Sequence, residues 1–218
     1  VDAFADIAAA ANHIREIRGL APLSVEEVKT YVGHGARHLV AGVTGLPDPS
    51  PQLDEAFEQL LAFYQSQPAS QAQPFDGVVL TLHILRARGL PLGIVTNKPH
   101  AVTTALLDAL ELTPLFDIVL GEKKGRPAKP DPSMVLEACQ HIGFPPVEGL
   151  FVGDSAVDVE VARRVSMKMV GVTHGTGDRA ELEALSPYAV IDHFSELPDL
   201  IENLIAPSVP THNRSSAI

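Results

Sequence analysis

The chain has 218 residues, a length that holds one large domain or one plus a small second one. It is 45% hydrophobic and 20% charged, which supports a sizeable core and excludes a mainly disordered chain. The formal net charge of −11 repels nucleic acid and anionic lipid, so an anionic substrate would have to meet a local positive charge inside its site.

The first part of the chain reads as helices only. Ala3–Gly19 carries apolar positions at helical spacing and stops at a glycine. Ser24-Val25-Glu26-Glu27 is a capping box that opens a short helix towards Tyr31. Gly33-His34-Gly35 breaks the pattern, Ala36–Val43 resumes it, and Asp54–Gln67 is predicted to form a further helix. The polar, proline-bearing stretch Ser66–Pro74 reads as a linker. From Phe75 short apolar runs alternate with helical segments. The predicted strands are Leu92–Thr96, Phe116–Leu120, Leu150–Gly153, Met169–Thr173 and Ala189–Ile191. Helices are predicted near Gly77–Arg88, His100–Leu110, Pro132–Ile142, Ser155–Val165, Arg179–Leu185 and Glu196–Leu204. Buried strands alternating with helices imply an α/β fold with a parallel sheet and helices on both faces.

The lone Cys139 excludes an internal disulfide and a zinc-type cysteine pair, and implies a reducing, cytoplasmic compartment. There is no run of ~18 apolar residues, so no helical membrane span is expected. Val1–Asp6 lacks the basic region of a signal peptide and the chain has no initiator methionine. The expectation is that it begins after a processing event or inside a larger protein.

Open α/β sheets bind ligands beyond the carboxyl ends of their strands. Thr96 places a hydroxyl at one such end, where the next helix directs its free N–H groups, a ready anion pocket; Thr96 or Asn97 could equally serve as a plain helix cap. Lys129 is flanked by Pro127, Pro130 and Pro132, which restrict the backbone around its ammonium, whereas Lys123, Lys124 and Arg126 read as a solvated basic loop. Asp131-Pro132 reads as an N-cap followed by a first helical residue. Asp154 ends the third strand and Asp158 lies in the first turn of the next helix. Two carboxylates so close stay ionised beside a cation, either Lys129 or a divalent metal, and Mg²⁺ suits a site of few carboxylates, water and phosphate oxygens. Helix capping by Asp154 and dipole complementation by Asp158 are compatible with that role. Hydroxyl, ammonium, helix N-termini and carboxylates on one sheet edge are the parts needed to hold a phosphoryl group.

In this order the residues resemble the haloacid dehalogenase superfamily of phosphohydrolases, most closely its phosphoglycolate phosphatase branch. The second family motif matches Leu92–Thr96 with Asn97, the third Lys129-Pro130-Asp131-Pro132, and the fourth Gly153-Asp154 with Asp158. Val32-Gly33-His34-Gly35-Ala36 and Gly171-Val172-Thr173-His174-Gly175 also look typical of this branch. The resemblance implies a Rossmann-like core with a small all-helical cap. Residues 1–5 would be a remnant of the core start, 6–74 the cap, 75–206 the core and 207–218 a flexible tail. It further implies a Mg²⁺-dependent phosphatase acting on a small phosphorylated metabolite, as a monomer or homodimer, with neither nucleic acid nor membrane as partner.

In the implied mechanism an aspartate attacks phosphorus, a second aspartate two residues later serves as acid and base, and water hydrolyses the aspartyl phosphate. Thr96 and the amide of Asn97 would hold the phosphoryl oxygens, Lys129 would neutralise charge, Asp154 would bind Mg²⁺, and Asp158 would position metal waters and Lys129. His34 and Arg37 are the candidates for choosing the leaving group from the cap side. The nucleophile motif is Asp-x-Asp-Gly-Thr-Leu-Val-Asp-Ser, and Val1-Asp2-Ala3 matches only its end. The nucleophile is therefore expected before residue 1, on a central strand that needs roughly a dozen or more further residues. Without that strand the sheet would be left with a slot and fold poorly. A phosphosugar mutase or pyrophosphatase shares these motifs, while a haloacid dehalogenase proper fits the paired Asp154 and Asp158 less well. A non-catalytic remnant that binds metal or phosphate would shift its melting temperature with either and release no phosphate.

Overall fold

The computed structural model describes residues 1–205. The predicted tail, 207–218, lies outside them. Four helices come first: α1 (Phe4–Ile17), α2 (Val25–Lys29), α3 (Ala36–Thr44) and α4 (Pro51–Ser66). Ile7, Ala10, Ala11 and Ile14 form the inward stripe of α1 at the spacing read from the sequence. Both hydrogen bonds of the Ser24–Glu27 capping box are present. Helix α4 begins earlier than its apolar pattern suggested, because Ser50 caps it through the Leu53 amide and Pro51 occupies its first turn. The four helices close on Ile14, Val28, Val40, Val43, Leu53 and Leu60, each fully buried, with Val102 joining from further along the chain. Burying one such side chain contributes about 1.5–3 kcal/mol.

The chain enters and leaves this helical layer through a paired neck. Asp2 and Gln73 exchange two backbone hydrogen bonds, of 2.8 and 3.0 Å. Beside them the buried Asp6 carboxylate accepts from the amides of Gln71 and Ala72. The predicted linker is thus anchored at its distal end.

The remaining elements are α5 (Val78–Ala87), β1 (Gly93–Pro99), α6 (His100–Ala109), β2 (Ile118–Glu122), α7 (Ser133–Ile142), β3 (Leu150–Gly153), α8 (Ala156–Arg164), β4 (Lys168–Val172), α9 (Arg179–Ala184), β5 (Ala189–Ile191) and α10 (Leu197–Ile205). All strand pairs are parallel. Among the described residues they form two sheets instead of one, β1-β2 and β3-β4-β5, so β1 and β3 each pair along one edge only. Leu85 of α5 and Leu197 of α10 pack on Val170, Val172 and Ile191, while Met134 and Ala138 of α7 cover Leu120 of β2.

Several boundaries differ from the sequence reading. Strand β1 continues past Thr96 to Pro99, with a register shift between the two. Phe116 closes a short 3-10 turn, so β2 starts at Ile118. Pro132 occupies the cap position of α7 and Asp131 lies one residue outside; its carboxylate accepts from the Ser133 amide at 2.9 Å. No helix among the described residues is long and apolar enough to cross a membrane.

Candidate active site

A cavity of about 230 Å³ lies where the carboxyl ends of β1 and β3 face the helical layer. Its polar wall contains Thr96, Asn97, Lys98, Lys129, Asp154, Ser155, Asp158 and Thr176. Its apolar wall comes from the helices and includes Phe4, Ile7, Leu39, Leu60 and Tyr64. Five of the seven residues singled out from the sequence meet here: Thr96, Asn97, Lys129, Asp154 and Asp158.

Lys129 is the best-held cation. Its ammonium donates to Asp158 Oδ1 at 2.7 Å and to the Val95 carbonyl of β1 at 3.1 Å. The paired side chains are 11% and 5% exposed, so the attraction is screened far less than at the surface. Prolines flank Lys129 as read, but a second restraint was not legible. The buried Asn97 side chain accepts the Lys129 N–H at 2.6 Å and donates to the Lys129 carbonyl at 3.0 Å. The same Asn97 amide group donates to the Gly33 carbonyl at 3.1 Å. It therefore ties the lysine loop and the Gly33–Gly35 turn to β1, and both of its side-chain N–H groups are spent within the protein.

Asp158 is a hub. Its second oxygen accepts from the Asp154 amide at 3.1 Å and from the Ser155 hydroxyl at 2.7 Å. Ser155 caps α8 through the Asp158 amide, so the capping role considered for Asp154 falls to its neighbour. Gly153 is needed for this approach: a Cβ there would stand 2.5 Å from the Asp158 carboxyl carbon. Asp154 Oδ2 accepts from the Thr176 amide at 2.7 Å, and the Asp154 carbonyl accepts from the Gly177 amide at 3.0 Å. Burial pushes the Asp154 carboxyl above its ordinary range and Asp158 adds to that push, while Thr176 pulls it down. Gly175, with φ of +152°, leaves no room for a Cβ, which would collide with the Asp154 carboxylate. Thr176 and Gly175 come from the loop after β4, where Gly175 ends a segment the sequence had marked without a role.

Thr96 Oγ accepts from the Lys98 amide at 3.1 Å and lines the cavity. His34 and Arg37 do not line it. Arg37 is held by Asp48 at 2.8 Å and Asp54 at 2.7 Å, which neutralise it within the helical layer. His34 is exposed, its ring 5.2 Å from that of His38. The helical side of the site is instead formed by the turn itself, at Val32, Gly33 and Gly35. Lys123 and Lys124 are exposed, as the solvated-loop reading expects, whereas the Arg126 side chain is 11% exposed and pairs with Glu137 at 2.6 Å.

A magnesium ion fits the donors present. No group of three His, Cys, Asp or Glu side chains is gathered among the described residues. Mg²⁺, however, takes one or two carboxylates and completes its shell with water and phosphate oxygens. Asp154 offers a hard, desolvated carboxylate whose Oδ1 has no hydrogen-bond partner among the described residues.

The chain is similar over most of its length to known proteins. The family profile described as haloacid dehalogenase-like hydrolase matches residues 1–172. A phosphoglycolate phosphatase of Agrobacterium fabrum is 31% identical over 94% of this chain and 90% of its own. An N-acetylmuramic acid 6-phosphate phosphatase of Pseudomonas aeruginosa is 29% identical over 94% of this chain and 91% of its own. The crystal structure of a predicted phosphoglycolate phosphatase from Haemophilus somnus superposes with a TM-score of 0.82, at 25% identity and 92% coverage of both chains.

Proposed function

The chain belongs to the haloacid dehalogenase-like hydrolases, and from that membership we propose that it is a Mg²⁺-dependent phosphatase for a small, carboxylate-bearing phosphate monoester of the phosphoglycolate kind. The observation that carries this reading is the convergence of Thr96, the Lys129–Asp158 pair and Asp154 on one cavity at the strand ends. The named substrates of its relatives supply the ester class.

Each residue has a task in this reading. The Thr96 hydroxyl and the Asn97 amide hold two phosphoryl oxygens. Lys129, kept in place by Asp158 and Asn97, offsets charge building on the nucleophile and the transferring group. Asp154 holds the magnesium, which when bound neutralises phosphoryl oxygens as a Lewis acid. The nucleophile is an aspartate N-terminal to residue 1, carried on a strand that pairs with the one-sided edges of β1 and β3. It forms an aspartyl phosphate as the bond from phosphorus to the ester oxygen breaks, a second aspartate two residues further on protonates the departing alcohol, and water then cleaves the aspartyl phosphate. The helical layer, residues 6–74, acts as the cap over a core that begins near residue 75. Its apolar wall excludes bulk water from the reacting group.

The test uses the protein made from its complete reading frame. Phosphate release from 2-phosphoglycolate should require Mg²⁺, stop with EDTA, and fall at least 10³-fold in Lys129→Ala. Binding of Mg²⁺ and inorganic phosphate without release of phosphate from any monoester would overturn the reading in favour of a non-catalytic binder.

A further inference from the structure

We propose that Lys98 is the residue that selects the ester's carboxylate, holding it in a subsite between β1 and Tyr64 while the phosphoryl group occupies the Thr96–Lys129 side of the same cavity. This rests on the phosphatase reading above and assigns its substrate preference to one side chain.

Two lysines line the cavity, and their situations are opposite. Lys129 is already matched to a carboxylate at 2.7 Å. Lys98 has no carboxylate within ion-pair distance and no hydrogen-bond acceptor for its ammonium among the described residues. Instead its ammonium stands 5.3 Å from the centre of the Tyr64 ring, on the apolar side of the cavity formed by α1 and α4. A ring face satisfies a cation only in part. The one acidic group that bears on it, Asp6, spends both oxygens on the amides of Gln71 and Ala72. Burial accordingly draws the Lys98 pKa down to about 8. Lys98 is half-buried, and a bound anion would give its ammonium the partner that the described residues do not supply.

Position fixes which anion. Lys98 lies two residues beyond Thr96 on β1, so their Cα atoms are at most about 7 Å apart. A phosphoryl group at Thr96 and an anionic group at Lys98 therefore suit a compact dianion, in keeping with a cavity of about 230 Å³ bounded by Leu60 and Tyr64. Sequence reading passed over Lys98 because it lies beyond the predicted strand end at Thr96, where a lysine ordinarily points to solvent.

The discriminating pair of substrates is 2-phosphoglycolate and ethyl phosphate, which share two carbons and differ in the carboxylate. The wild-type protein should prefer 2-phosphoglycolate at least 100-fold in kcat/KM. In Lys98→Met, which keeps the stem and deletes the charge, that preference should fall at least 30-fold through KM, and Lys98→Arg should recover part of it. Without any divalent ion, 2-phosphoglycolate should raise the wild-type melting temperature more than inorganic phosphate does, and this excess should vanish in Lys98→Met. A wild-type protein that turns over both esters equally would overturn this assignment and leave the phosphatase reading intact. So would a Lys98→Met whose two activities fall in parallel. Turnover of neither ester by the wild type would overturn both.

Discussion

The Lys129–Asp158 pair allows a sharp test by a double-mutant cycle on stability. Asp158→Ala leaves the Lys129 ammonium with only the Val95 carbonyl and deprives the Asp154 amide and the Ser155 hydroxyl of an acceptor. Breaking one side of a buried pair costs about 3–5 kcal/mol, so about 4 kcal/mol is expected. Lys129→Met leaves Asp158 charged but still bonded to two donors, for which about 2–3 kcal/mol is expected. The double variant removes both charges and should be only about as unstable as Asp158→Ala, a coupling of about 2–3 kcal/mol. In urea, with a slope of about 2 kcal/mol per molar, Asp158→Ala should unfold about 2 M earlier. The double variant should unfold no earlier than Asp158→Ala. A coupling below about 0.5 kcal/mol would refute the reasoning, since it would mean that the pair is solvated and that Asp158 does not hold the lysine in place.

Three further outcomes are expected. Gly175→Ala drives a methyl group into the Asp154 carboxylate, so Mg²⁺ affinity read by titration should fall at least 10-fold while the melting temperature drops by only a few degrees. Asp6→Ala removes the acceptor of the Gln71 and Ala72 amides at the neck and should cost about 3 kcal/mol, or about 6–12 °C, in calorimetry; a loss below 2 °C would show the neck to be held by other contacts. Lys98, which stands over the Tyr64 ring and feels the Asp6 carboxylate, in a cavity also lined by Lys129, Asp154 and Asp158, is protonated below about pH 8 and loses its charge above it. The KM for 2-phosphoglycolate should therefore rise as pH passes 8. Stability has the opposite sign: the unfolded lysine, at its ordinary 10.5, keeps a proton that the folded one has released. The destabilisation is thus complete below pH 8 and is relieved as pH climbs from 8 towards 10.5. Lys98→Met should flatten both profiles.

Motif order and periodicity alone determined the succession of helices and strands, the parallel class of the sheet, and five residues that meet in the cavity. Those signals are local. A capping box such as Ser24–Glu27 is satisfied within one turn, and the strands Leu150–Gly153 and Ala189–Ile191 are bounded by their own neighbours. Local rules also explain one place where the reading slipped. Asp131 bonds the Ser133 amide from one residue outside the helix, which leaves Pro132 in the cap position, whereas β1 runs on to Pro99 through a pairing with Glu122 of β2 that no local rule shows.

The rest required the folded chain, because it depends on residues far apart in sequence. Asn97 cannot be seen to clamp Lys129 until β1 and the proline-rich loop are side by side. Gly175 has no visible purpose until its loop closes on Asp154. The candidacy of His34 and Arg37 rested on their place next to a turn, yet tertiary packing gave Arg37 to Asp48 and Asp54 and brought the turn's own backbone to the cavity. Charge balance was the least legible quantity. Composition counts both lysines of the cavity alike, and only the assembled structure shows that Lys129 is neutralised by Asp158 while Lys98 faces an aromatic ring, because pairing is decided by distances of a few ångströms that sequence separation does not encode.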